Sequence, residues 1–108
     1  MQQHPRSVLC RSECGSLTVL DHGLAYSFTF KNIRLLLTAD EVDVFRQSLE
    51  NLDEQEWVIA PEGAFVLLPI YRMDACVWLT RSEVDEMIEL LREASAMIKV
   101  HQRLFNRV

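Results

Sequence analysis

Leu35-Leu36-Leu37-Thr38-Ala39-Asp40-Glu41-Val42 is the stretch that decides the fold. An apolar run stops at a threonine whose hydroxyl can accept a hydrogen bond from the backbone amide three residues on. Glu41 can reach back to the threonine amide, so Thr38-x-x-Glu41 forms a capping box where a strand ends and a helix begins. The same step recurs 42 residues later as Leu79-Thr80-Arg81-Ser82-Glu83-Val84. Aligned at that spacing, the two segments agree at Leu37/Leu79, Thr38/Thr80, Glu41/Glu83, Val42/Val84, Asp43/Asp85 and Leu49/Leu91. Capping and core demands account for most of these matches, yet a duplicated strand–strand–strand–helix unit is the better reading.

Upstream of the first box, Leu17 and Val19 alternate with Ser16 and Thr18 as a short strand. Asp21-His22-Gly23 supplies a turn, with glycine where φ > 0 is needed. Leu24, Tyr26, Phe28 and Phe30 then alternate with Ala25, Ser27 and Thr29, the pattern of a half-buried strand. Lys31-Asn32 turns the chain into Ile33–Leu37. Past the box, Val42, Phe45, Leu49 and Leu52 recur at helical spacing, and the polar run from Asn51 to Glu56 is an exit loop.

The second half follows the same plan. Trp57–Ala60 reads as a strand, Pro61-Glu62-Gly63 as a turn, and Phe65–Tyr71 as a more uniformly apolar strand. Pro69 has no amide hydrogen and is expected at an edge or a bulge. Met73-Asp74 turns the chain into the strand Ala75–Leu79, and a second helix runs from about Arg81 to near Leu104. The expected fold is α+β, a single domain over residues 1–108 with repeat-like halves of about 16–53 and 57–105. One antiparallel meander of about six strands carries both helices on one face.

Helix two outruns its counterpart. Val84, Leu91, Ile98 and Phe105 recur every seven residues, followed three positions later by Met87, Ala94 and His101, while Leu90, Met97 and Leu104 widen the apolar surface. A helix of this length spans about 37 Å. Its second half needs cover from the first helix, the N-terminal segment or a second copy of the chain. The second copy is preferred, giving a homodimer through Val84, Met87, Leu91, Ala94, Ile98, His101 and Phe105.

Composition removes several classes of function. No apolar run approaches the length of a membrane helix, so no membrane role is expected. The N-terminal residues lack the apolar core of a signal peptide, and the cysteines, Cys10, Cys14 and Cys76, are odd in number. Both point to a cytoplasmic protein. A net charge of −5 gives no basic face for nucleic acid. Lys99, His101, Arg103 and Arg107 form the one basic concentration, and cations in the last turns of a helix complement its dipole.

Cys10-Arg11-Ser12-Glu13-Cys14-Gly15 is the one segment that looks like a site. Two thiols four apart can hold a soft metal such as zinc if Cys76, His22 or His4 completes the tetrahedron. Zinc knuckles and thioredoxin-type redox motifs both space their cysteines by two residues, where this chain has three, so ordinary thiols are the simpler reading. His22 beside Asp21 is a turn residue before it is a general base, and His101 lies on an apolar row. Asp85, Glu89 and Glu93 form a solvated acidic ridge, with Arg81 and Arg92 close enough to offset it. Trp57, Phe65, Tyr71 and Trp78 serve as core, with a ligand pocket as the alternative. No glycine-rich phosphate loop, Ser-His-Asp set or paired-carboxylate signature is present.

With its Cys10-x-x-x-Cys14-Gly15 motif and the strand–Thr-x-x-Glu–helix step, the chain resembles small uncharacterised bacterial proteins with an N-terminal cysteine pair plus glycine. The resemblance covers mainly residues 8–52 and carries no activity. The expected function is a non-enzymatic interaction module that self-associates through helix two. The alternative is a metal- or small-ligand-binding protein using Cys10 and Cys14.

Overall fold

A computed structural model of the chain describes residues 8–20, 23–69 and 76–105, apart from the Phe105 side chain. The expected turns at Asp21-His22 and Met73-Asp74, together with Tyr71, His4 and Arg107, lie outside the described residues. The strands are β1 (Val8–Arg11), β2 (Gly15–Leu20), β3 (Ala25–Phe30), β4 (Ile33–Leu37), β5 (Trp57–Ala60), β6 (Gly63–Pro69) and β7 (Cys76–Thr80). The helices are α1 (Ala39–Glu50) and α2 (Arg81–Phe105), and a single 3-10 turn covers Glu54–Glu56. No helix among the described residues is long and apolar enough to cross a membrane.

The α+β class is as expected, but the strands do not form one sheet. β1-β2-β3-β4 and β5-β6-β7 are two separate antiparallel meanders. The expected count of about six becomes seven because Val8–Arg11 also pairs, across a register shift between Val8 and Cys10. Four residues with a bulge are too short for alternation to show. Leu24 does not join the inner row of β3; it precedes the strand and stands 79% exposed. Pro69 sits on β6, the central strand, as its last residue opposite Cys76. Its missing amide therefore costs the ladder little.

Both capping boxes form. Thr38 Oγ1 accepts from the Glu41 amide while Glu41 Oε1 accepts from the Thr38 amide, and Thr80 and Glu83 repeat the exchange. Phe30 pairs with Ile33 across the two-residue turn Lys31-Asn32, where Lys31 adopts φ 52°. From that turn Lys31 Nζ reaches Glu83 Oε2 at 2.6 Å, tying the first sheet to the start of α2. Glu50 of α1 joins the helices, accepting from Arg46 on its own helix and from Arg92 Nε of α2 at 2.6 Å. Arg92 is thus committed to α1 and Arg81 lies over the Trp57 ring, so neither pairs with the acidic ridge as expected.

One core unites these elements. Leu17, Tyr26, Phe28 and Phe30 of the first sheet, Val66 and Leu79 of the second, and Val42 and Leu49 of α1 are all buried with α2. The Phe28 ring meets Phe45 of α1 edge-on at 6.0 Å. Gly15 allows the closest approach: a Cβ there would stand 2.2 Å from the Thr29 carbonyl oxygen and 2.9 Å from Leu90 Cδ2.

Two outcomes follow from this packing. Gly15→Ala pushes β2 off the Thr29 carbonyl of β3 and off Leu90 of α2, and is expected to cost about 2–3 kcal/mol, read as a lowered thermal midpoint. Lys31 and the Thr80 cap hold the Glu83 carboxyl below its ordinary 4.5. The bridge therefore stabilises the fold above that pH and fades as pH falls through the lowered value. Glu83→Gln keeps the capping acceptor and removes the charge. Its acid-unfolding curve should be flatter than the wild-type curve below about pH 4.5 and converge with it in strong acid.

Candidate functional site

Each residue expected to carry function can be placed on this frame. Val84, Met87, Leu91, Ala94 and Ile98, expected at a dimer interface, are at most 4% exposed within one chain. They are covered because α2 lies against strands of both sheets and against α1. His101 continues the row, with its ring edge-on to Tyr26 at 6.3 Å, and the Phe105 side chain lies outside the described residues. From Val84 to Ile98 the apolar row of α2 is therefore already covered within one chain.

Cys10 and Cys14 bracket the turn between β1 and β2. The Ser12 amide donates to the Gly15 carbonyl at 2.8 Å, and the Gly15 amide donates to Ser12 Oγ at 3.2 Å. The three intervening residues are thus the length of a hairpin loop. Cys10 lies on the inner face with its Sγ directed at the Leu90 carbonyl, 3.9 Å away. Burial, aided by the field of Glu93, pushes its thiol up to about 11. Glu86 raises the Cys14 thiol as well, through a hydrogen bond first. Both shifts favour the thiol over the thiolate, the form that attacks electrophiles. Cys76 is exposed on β7 of the other sheet, and His22 lies outside the described residues. Among the described residues no three His, Cys, Asp or Glu side chains converge as a metal site.

The aromatic set does not enclose a common pocket. Trp57 pairs with Val66, and Val66 with Leu79, so these three share the inner face of the second sheet. Phe65 and Trp78 fall on its outer face, and Tyr71 lies outside the described residues. A cleft of about 420 Å³ opens instead between β4, α1 and the end of β6. Leu35, Leu37, Val44, Phe45 and Leu68 supply apolar walls; Asp40, Glu41 and Ser48 add polar atoms. Its size suits a small ligand, but Glu41 is engaged in the capping box, and no nucleophile stands beside a base there.

The surface that sequence reading missed is the outer face of the second sheet. Register sets Val58 beside Phe65 and Leu67 beside Trp78 on that face. Val58, Leu67 and Trp78 are each about half exposed, at 50%, 45% and 56%. Pro69 and Cys76 continue the face and Thr80 closes it, so among the described residues its strands present no charged side chain there. The outer face of the first sheet is mixed: Ser16, Thr18, Ser27, Thr29 and Arg34 share it with the exposed Val8 and Leu36, and Arg34 Nε donates to Ser27 Oγ at 3.0 Å. The first sheet thus breaks its apolar outer residues up with hydroxyls and a guanidinium, and the second does not. The signal lay in Phe65-Val66-Leu67-Leu68, apolar at both parities where a strand with one wet face would alternate.

Thiol chemistry provides a check on this placement. At pH 8 a thiol titrating near 11 is thiolate in about one molecule per thousand. Iodoacetamide on the native chain should label Cys76 first and leave Cys10 untouched until denaturant is added, read by peptide mass spectrometry. Equal labelling of all three cysteines would contradict the burial of Cys10.

No curated protein and no solved structure matches the chain. The profile of a family of unknown function, DUF6686, matches residues 1–104, well beyond the span 8–52 on which the cysteine-pair resemblance rested. A fold of two meanders and two helices, with cysteines set by hairpin geometry, is therefore a member of that family: the chain belongs to DUF6686.

Proposed function

We propose that the protein is a non-enzymatic interaction module that self-associates through the outer face of its second sheet. The observation that carries this reading is the uncharged patch of Val58, Phe65, Leu67 and Trp78, on a sheet whose other face is already used by the core. Three strands about 4.8 Å apart and some five residues long cover roughly 250 Å² in projection and of order 400 Å² of accessible surface. Contiguous apolar patches of that size on a single chain mark contact surfaces more often than plain surface.

A second copy suits this face for an electrostatic reason. Two chains of net charge −5 repel, and the repulsion is least where neither presents a charge. Stacking the two outer faces buries no unpaired ion and packs sheets in the aligned manner of a β-sandwich. The area sets the strength: two such faces bury of order 800 Å², about half of a standard interface. The dimer is therefore a concentration-dependent equilibrium, with the α2 row contributing from beneath by holding the sheet in place.

Sedimentation velocity from about 1 to several hundred micromolar tests this directly. Wild-type protein should shift from monomer to dimer across that range. Leu67→Glu should remain monomeric with an almost unchanged thermal midpoint, because its side chain is half exposed. Leu104→Glu, an exposed position on α2, should dimerise as wild type does. A monomer at every concentration would sink the proposal. So would dimerisation abolished by Leu104→Glu and untouched by Leu67→Glu.

A further inference from the structure

Arg92, Ala96, Lys99 and Arg103 follow one another on α2 at spacings of four, three and four, so they form one stripe along the helix. The stripe faces α1, where Asp43 and Arg46 complete a groove of about 380 Å³. Small residues, Ser95 and Ala96, keep its floor low. Among the described residues four cations meet two carboxylates here, those of Asp43 and Glu50, so these groups leave the groove positive by two on a chain whose net charge is −5.

The four cations are not equivalent. Arg46 is engaged by Asp43 at 2.7 Å and by Glu50, and Arg92 by Glu50. Lys99 and Arg103 form no ion pair among the described residues and stand one helical turn apart. Lys99 is near enough to help Arg46 hold the Asp43 carboxyl below its ordinary range. Two like charges one turn apart repel by a few tenths of a kcal/mol, and an anion lodged between them turns that repulsion into attraction. Dipole complementarity explains cations at the helix end; it does not explain a concave groove with an unmatched charge of two.

We propose that the groove between α1 and α2 binds a phosphate-bearing small molecule, with Lys99 and Arg103 clamping the phosphate. The Glu50-bridged arginines behind them hold the groove open and positive. A phosphate dianion matches the excess of two, where a single carboxylate matches half of it. The stripe from Arg92 to Arg103 is only about 16 Å long, room for a metabolite and too short to track a duplex. The groove lies on the helical layer, away from the outer sheet face, and is independent of self-association there.

The test is a titration of the full-length chain with inorganic pyrophosphate in low salt, followed by amide chemical shifts. Saturable shifts confined to residues of α1 and the second half of α2 are expected. Replacing both Lys99 and Arg103 by glutamine should weaken binding at least about fivefold, while Arg11→Gln, an exposed cation on β1, should not. An unchanged circular dichroism spectrum shows that the double variant still folds, since both positions are exposed. Absence of saturable shifts would overturn the site, as would equal weakening by Arg11→Gln. Succinate binding as tightly as pyrophosphate would overturn the assignment to phosphate.

Discussion

The buried flank of α2 is the contact on which the rest of the molecule depends. Among the described residues the two sheets share no hydrogen-bonded strand pair, so no ladder joins them. What joins them is a single helix of 25 residues with Val84, Met87, Leu90, Leu91, Ala94 and Ile98 excluded from water. Leu90 presses on Gly15 of the first sheet, while the same helix meets β6 and β7 of the second. Each buried aliphatic side chain of this kind contributes about 2–5 kcal/mol against truncation to alanine. Without that flank, each meander would be left with one uncovered apolar face.

Electrostatics position this helix and contribute less to holding it. The Lys31–Glu83 bridge and the Glu50 link to Arg92 fix its start and its middle against the sheet and α1. Such partly exposed pairs are worth at most about 1 kcal/mol each. The buried row sets the rotation of α2 about its axis, the two pairs agree with it, and that rotation decides which residues face outward. Turning the apolar row inward sends Arg92, Lys99 and Arg103 to the α1 side, where the positive groove forms as a geometric consequence.

The local chemistry of the fold was legible in the sequence because each signal is short-range. Both capping boxes, the Lys31-Asn32 turn and the extent of α2 follow from residues within four positions of one another. Whether six or seven strands make one sheet or two depends on pairings between distant segments, which no periodicity encodes. The α2 row illustrates the same limit: its spacing announced a surface that needed cover, and only the tertiary structure shows that both sheets supply it. Cys10 and Cys14 illustrate a related ambiguity. Their spacing resembles a ligand pair, yet it is the length of a hairpin loop, and the following glycine answers to Thr29 and Leu90.

An uncovered apolar face on the second sheet is consistent with this architecture only if something offsets its cost. The first sheet lessens the problem by breaking up its outer side with serine, threonine and Arg34. Changing Leu67 or Trp78 to a polar residue would leave the core untouched, since Val66, Leu68, Val77 and Leu79 are the residues of those strands that pack into it. Packing within one chain therefore places no demand on the outer residues. On the proposed reading a second copy meets that face, because repulsion between two chains of net charge −5 is least where neither presents a charged side chain.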